Sequence, residues 1–255
     1  DRVVIRDNGV PTYLAADIAY HKNKYDRGFN SLINIWGADH HGYVARVKAA
    51  MAALGYDPEK LEILLLQMVS LFRDGKPVKM SKRTGQAITL NELIEEVGAD
   101  AARYFFIMRS LDTQLDFDLD LAKSHSNENP VYYIQYAHAR IYSIYRQVQE
   151  AGDALDMNWA DVQWDKLKDE QELELIKKMA AFPEEIQRAA RERAPHRIAH
   201  FAHELAGLFH TFYNHCRIIQ EDKELEKARL ALVTAVRITI ANSLAILGVS
   251  APEKM

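Results

Sequence analysis

Short β-prone apolar runs alternate with helical patterns over the first part of the chain. Leu32 to Trp36, Leu61 to Gln67 and Ala87 to Thr89 predict strands, while Tyr13 to Lys24, His41 to Leu54 and Leu90 to Val97 predict helices. That alternation is the pattern of an α/β layer, and its order predicts half of a parallel sheet. Val3-Val4-Ile5 also reads as a strand or the approach to one. From about Asn129 the period changes. Apolar residues recur at i, i+3 and i+4, as at Ile134, Ala137 and Ile141, with no convincing strand among them, which predicts a bundle of four to six helices. Gly152 with Asp153, the Asn158 to Asp165 stretch, Pro183 and Pro195 separate the helices, and Gly248 followed by Pro252 closes the last one. The expected fold is α/β over residues 1–119, followed by an all-α bundle over residues 120–255.

Composition narrows the function classes. With 255 residues, 48% hydrophobic and 27% charged, the chain can bury a core and is long enough for one large or two ordinary domains. A net charge of -4 argues against nucleic-acid binding by overall positive charge, so any RNA contact must rest on local patches and shape. The single cysteine, Cys216, excludes an internal disulfide and a multi-thiolate zinc site, and points to a reducing compartment, the cytoplasm. No apolar run is expected to reach the roughly 20 residues of a membrane helix, and no signal pattern opens the chain. Starting at Asp1 without methionine, the chain is expected to begin inside a larger protein. The charge run Glu221 to Lys227 reads as the solvated start of the last helix.

Candidate chemistry lies mainly in the first region. In the segment Asp74-Gly75-Lys76-Pro77-Val78-Lys79-Met80-Ser81-Lys82-Arg83-Thr84-Gly85, Lys79 and Lys82 can place two ammonium groups on one polyanion, within a loop that glycines allow to move. A triphosphate suits it, although Walker spacing is absent; a basic surface hairpin is the plainer reading. Tyr13 and Asp17 stand four apart and share a helix face. A carboxylate beside a phenol can accept hydrogen bonds from a guanidinium, although such a pair is also ordinary surface. The turn Gly37-Ala38-Asp39-His40-His41 lies between a strand and a helix, where open α/β sheets bind ligands; the alternative is a polar-capped connection. Adjacent Asp39, His40 and His41 make a poor metal set. His196, His200, His203, His210 and His215 read as helix surface and packing, so no metal is expected. Of Tyr132, Tyr133, Tyr136, Tyr142 and Tyr145, most should be core and a minority free to stack on bases.

The exact strings carry a resemblance. Lys79-Met80-Ser81-Lys82 matches the Lys-Met-Ser-Lys signature of class I aminoacyl-tRNA synthetases, and Gln67-Met68-Val69-Ser70-Leu71 with Arg83-Thr84-Gly85 resembles the arginine enzymes. The same resemblance covers Trp36 to Tyr43, Gly98 to Tyr104, Ser126 to Pro130, Tyr132 to Ile141 and Leu247 to Pro252, in the family's order. Asp100-Ala101-Ala102-Arg103 resembles the Asp-Ala-Leu-Arg string that names the family's helical domain, with Ala102 where leucine is usual.

By that resemblance, the first region is the second half of a Rossmann-type catalytic domain and the second is an anticodon-binding domain. Lys79 and Lys82 would stabilise the leaving pyrophosphate, with Mg2+ sharing the task. Gly37, Asp39, His40, Met80 and Ser81 would hold ATP, and Tyr13, Asp17 and His40 would hold arginine. Tyr213, Asn214 and Met255 would lie at the anticodon. The implied partners are arginine, ATP and an arginine tRNA, and the implied intact enzyme is a monomer.

The family's His-x-Gly-His motif is missing, since His40-His41-Gly42-Tyr43 has the wrong order. Half the ATP site is therefore expected elsewhere, and this stretch alone is expected not to aminoacylate. The alternative is a noncatalytic tRNA-binding module derived from such an enzyme, against which the intact Lys79 to Lys82 string speaks. A cysteine specificity would require thiolates that a single cysteine cannot supply, and an aliphatic one gives Asp17 no purpose.

Overall fold

The structure is a computed structural model that describes residues 2–78, 88–152 and 158–255. Lys79, Met80, Ser81 and Lys82 lie outside the described residues. Two compact units are present, residues 1–69 with 111–115, and residues 70–110 with 116–255.

The first unit is a β–α–β layer preceded by a helix. Helix α1 (Tyr13–Asp26) leads to strand β1 (Leu32–Gly37), helix α2 (His41–Ala53) and strand β2 (Leu61–Leu66). β1 and β2 run parallel, Leu32 opposite Leu61 through Gly37 opposite Leu66. Parallel neighbours need a crossover, and α2 supplies it. Its Val47 and Met51, one helical turn apart, are buried against Leu32 and Leu61, with Leu14 and Ile18 of α1 packed on the same cluster. Val3-Val4-Ile5 does not form a strand. Only an isolated bridge joins Ile5 to Pro11, because Gly9, at φ 76°, turns the chain back at once and Pro11 has no N–H to extend a ladder.

In the second unit, β3 (Val69–Arg73), β4 (Lys76–Pro77) and β5 (Leu115–Asp118) form a sheet in the order β4-β3-β5. β3 and β4 are antiparallel, an arrangement outside the expected parallel half-sheet. Their turn is Asp74-Gly75, with φ of 50° and 68°, the paired positive values that a tight hairpin requires. The strand expected at Ala87 to Thr89 is not found over the described Ile88 and Thr89. Thr89 caps α3 (Leu90–Val97): its hydroxyl accepts from Glu92 N and the Glu92 carboxylate accepts from Thr89 N, a reciprocal cap that takes the donor a ladder would need.

Helices α4 (Ala99–Ile107) and α5 (Leu119–Lys123) precede the bundle, which comprises α6 (Pro130–Glu150), α7 (Glu170–Ala180), α8 (Phe182–Arg191), α9 (His196–His215) and α10 (Lys223–Leu247). α9 lies against α6, α7, α8 and α10. Asn129 starts α6: its side chain accepts from Val131 N and Tyr132 N and donates to the carbonyls of Ala122 and Ser124. Gly248, in the left-handed conformation, stops α10, with Val249 N donating to Leu244 O and Gly248 N to Ala245 O, the paired bonds of a glycine-terminated helix. By length and composition α10 could cross a bilayer, contrary to the expectation from sequence; here over half of its apolar window is buried inside the bundle.

Charge is buried near the start of α10. Arg229 of α10 donates to Glu172 at 2.6 Å, to Asp169 at 3.0 Å and to the Arg217 carbonyl at 2.7 Å, while Asp169 N donates to Glu172. This joins α10 to the start of α7 and to the α9–α10 connection. Glu226 is buried too, accepting from Gln220 N and Lys223, so the charge run around it is not wholly solvated. Arg229→Met would leave Glu172 buried without its cation and is expected to cost about 3–5 kcal/mol, read as a lower urea midpoint. Adding Glu172→Leu should recover much of that loss, and an unchanged midpoint in the single variant would contradict it.

Candidate functional site

The carboxyl end of β1 and the outer face of α1 enclose a cleft of about 660 Å³ in the first unit. Tyr13 and Asp17 enter it from α1, Asn34 and Trp36 from β1, and His40 and Tyr43 from the turn and the helix that follow. Tyr13, Asp17 and His40 line one cavity, the first two from the one helix face that their spacing predicts. Tyr13 is 87% exposed. Asp17 is the one carboxylate among the described lining residues, and Lys24, two turns further along α1, also lines the cleft. Tyr43's hydroxyl is buried with no partner at hydrogen-bonding distance. Burial first, and then the Asp17 carboxylate lying further off, push this phenol up to about 12, so it remains a neutral donor. A cation with several N–H groups could use Asp17 and the phenol oxygens as acceptors.

Gly37 and Asp39 do not line this cleft. They form the adjoining turn, where a Cβ on Gly37 would meet the Asp39 carboxylate at 2.5 Å. What the missing side chain admits is thus Asp39 folding back. Asp39 and His40 are both exposed and lie 3.7 Å apart.

Two further residues support the cleft wall. His21 Nδ1 faces the Asp17 carbonyl at 2.7 Å and Nε2 faces Asn34 Nδ2 at 2.6 Å. A carbonyl can only accept, so Nδ1 carries the proton and Nε2 accepts from Asn34. Asn34 Oδ1 in turn accepts from Lys24. The chain of bonds ties the Asp17 turn of α1 to β1. The only sequence signal for it is Asn34, a polar residue at an inward position of an apolar strand.

The helical unit presents a second candidate surface. Tyr132, Tyr136 and Arg140 recur every fourth residue along one face of α6. His125 stacks on Tyr132 and Tyr132 on Tyr136, at 5.6 and 6.0 Å between centroids. Arg140 lies over both Tyr136 and Tyr213, 4.5 and 4.7 Å from their rings. Tyr213 is half-buried and Asn214 exposed, and both line a cleft of about 520 Å³. Met255 lines a different one, of about 890 Å³, with Asp100, His125, Asn129, Tyr132 and Gln135. The three residues expected at the anticodon therefore divide between two clefts, with the Tyr132–Tyr136–Arg140 row running from one towards the other. Tyr145 is core, its hydroxyl paired with Thr234.

The histidines of α9 are engaged with carbonyls and rings: His200 with Met108 O, His210 with Tyr133 O, His215 with Thr211 O, and His203 against the Tyr133 ring. Asp169, Glu172 and Cys216 come within metal-ligand distance of one another, a grouping not visible in the sequence. Arg229 already occupies both carboxylates, and burial pushes the Cys216 thiol up to about 11, which leaves a protonated, poor ligand.

Comparison with known proteins follows this division. The family described as "tRNA synthetases class I (R), catalytic domain" matches residues 1–111, and the "DALR anticodon binding domain" matches residues 134–255. The parallel β–α–β layer with its cleft thus falls in the class I aminoacyl-tRNA synthetase catalytic match, and the bundle in the anticodon-binding match. Among curated relatives, the arginine-tRNA ligases of Carboxydothermus hydrogenoformans and Desulforudis audaxviator are 63% and 60% identical over the whole of this chain, which covers 46% and 45% of them. The solved structure of Thermus thermophilus arginyl-tRNA synthetase superposes on the whole chain with a TM-score of 0.81 at 25% identity, over 51% of its own length. A Campylobacter jejuni protein provisionally named an arginyl-tRNA synthetase does so with a TM-score of 0.90 at 41% identity, over 55% of its length. The chain belongs to the class I arginyl-tRNA synthetase family and spans about half the length of the curated relatives it matches.

Burial holds His138 and His210 below the ordinary histidine value of 6.5. As pH falls below 6.5 the unfolded chain takes up these protons before the folded one, so folding stability is complete above that value and declines on acidification. The urea midpoint is expected to be lower at pH 5.5 than at pH 7.5, roughly one pH unit either side of 6.5, and His210→Gln should flatten part of that slope. A slope identical in the variant would remove His210 from the account.

Proposed function

We propose that the full-length protein carrying this sequence is an arginine-tRNA ligase. It would activate arginine with ATP and pass the arginyl group to the terminal adenosine of an arginine tRNA. The observation that carries this reading is the convergence of Tyr13, Asp17 and His40 on one cleft at the end of β1. Asp17 would accept the guanidinium of arginine, with Tyr13 closing over it. The arginine carboxylate attacks the α-phosphorus of ATP, pyrophosphate leaves, and the tRNA ribose hydroxyl then displaces AMP. Lys79 and Lys82 would stabilise charge on the leaving pyrophosphate, with Mg2+ bound to it as part of the ATP substrate, while Gly37, Asp39, His40, Met80 and Ser81 would contact the nucleotide. Such chemistry is largely positioning and charge stabilisation.

In the helical unit, Tyr213, Asn214 and Met255 are the proposed anticodon contacts, with Tyr132, Tyr136 and Arg140 as the stacking row beside them. Aromatic planes backed by a guanidinium suit unstacked bases, which single-stranded loops offer. The enzyme would act as a monomer in the cytoplasm, where translation takes its substrates.

In amino-acid-dependent ATP/pyrophosphate exchange by the full-length enzyme, Asp17→Asn is expected to raise the arginine KM by roughly 10- to 150-fold, the worth of one hydrogen bond to a charged group. Lys82→Ala should lower the activation rate by about 10² to 10³. Equal rates with another amino acid in place of arginine would refute the specificity. This chain should also bind an arginine tRNA transcript more tightly than one with an altered anticodon, at fixed salt, and Tyr213→Ala should reduce that difference.

A further inference from the structure

Two parts of the helical unit that are far apart in sequence meet at the end of α10. Asp100, in the first turn of α4, accepts from Ser250 N at 3.1 Å, from the Ser250 hydroxyl, and from Gln135 Nε2 at 2.9 Å. Gln135 also donates to the Ser250 carbonyl at 3.0 Å. One turn along α4, Arg103 lies against Gly248, where a Cβ would come within 3.2–3.3 Å of its side chain. Beyond Ser250, the buried His138 donates from Nδ1 to the Pro252 carbonyl at 2.8 Å. The first and last residues of the Asp100-Ala101-Ala102-Arg103 string thus face the turn that follows α10, while Ala101 and Ala102 between them are buried in the core.

This grip has a consequence for the cleft of about 890 Å³ that Met255 lines with Tyr132 and Gln135. A segment leaving a helix end is ordinarily free, and ordering it when a ligand binds opposes binding. Fixing the segment beforehand removes that cost. We propose that Asp100 and Arg103 are positioning residues for RNA recognition, holding residues 248–252 so that Met255 is presented at the cleft beside Tyr132. The proposal rests on reading the helical unit as the anticodon-binding part, and its partner is the single-stranded loop of a tRNA. Neither residue is assigned a contact with RNA.

The test uses this chain and transcripts of an arginine tRNA with its own and with an altered anticodon, at one salt concentration. Asp100→Ala is expected to weaken binding of the cognate transcript by roughly tenfold or more, with less change for the altered one, and to speed amide exchange at residues 249–252 in the absence of RNA. Ser250→Ala, at an exposed position, should do the same to a smaller degree and serves as the test should Asp100→Ala lower the melting temperature. Ser250→Thr keeps the hydroxyl and should behave as the parent chain does. In a chain ending at Pro252, Asp100→Ala should have no further effect on binding, because there is nothing left to present. An undiminished loss in that shortened chain, or full discrimination retained by Asp100→Ala, would overturn the assignment alone. A parent chain that does not tell the two anticodons apart would overturn the tRNA reading and the assignment with it.

Discussion

Helix α6 has to bury one side, and much of the helical unit follows from that. Val131, Ile134, Ala137, Ile141, Ile144 and Val148 are all buried, and α9 and α10 lie against this helix. With 3.6 residues per turn, a helix so committed has no freedom over where its remaining positions point. Tyr132, Tyr136 and Arg140 must form a row on another face. A row of aromatic and guanidinium planes at fixed spacing is thus a by-product of core packing. Its outer member is anchored further by Asn129, which caps the helix while holding two carbonyls of the chain before it.

Polar groups then specify what apolar packing leaves undetermined. Leucines, valines and alanines on α9 and α10 would tolerate small shifts of one helix along another, whereas Arg229 admits one placement, because its donors must meet Glu172, Asp169 and the Arg217 carbonyl together. Asp100 acts in the same way at the other end of α10. Each of these bonds is modest by itself, but a carboxylate with three donors has few alternative geometries. The first unit shows the same division of labour on a smaller scale. Leu32, Val47, Met51 and Leu61 hold the β–α–β layer together, while His21 and Asn34 set how the Asp17 turn of α1 meets β1.

Much of this could be read from the chain. The alternation of strands and helices, the parallel pair β1–β2, the helical second half, the Gly248 stop and the Tyr13–Asp17 helix face all depend on neighbours within a few residues, and local spacing reports them directly. The antiparallel β3–β4 hairpin is legible in Asp74-Gly75, residues that tolerate the positive φ of a tight turn. Thr89 was misread as strand because β-branched residues favour both strands and caps, and the deciding residue, Glu92, lies three positions on. Glu226 is buried against the expectation of a solvated run, and the pairing of Arg229 is invisible in the chain, because charge in a sequence carries no record of a partner some sixty residues away, as Asp169 is from Arg229.

The sequence by itself determined the parallel β1–β2 layer, the helical second half, the family and which residue types could meet a guanidinium or a triphosphate. Tertiary structure alone decided which of them share a cavity. It placed Tyr13, Asp17 and His40 together with Tyr43, which sequence reasoning had left out. It divided Tyr213 and Asn214 from Met255, and it brought Asp100 to Ser250 across 150 residues. Periodicity fixes the direction of a side chain relative to its own helix or strand, whereas convergence depends on how separate elements pack, and that is set by the whole core at once.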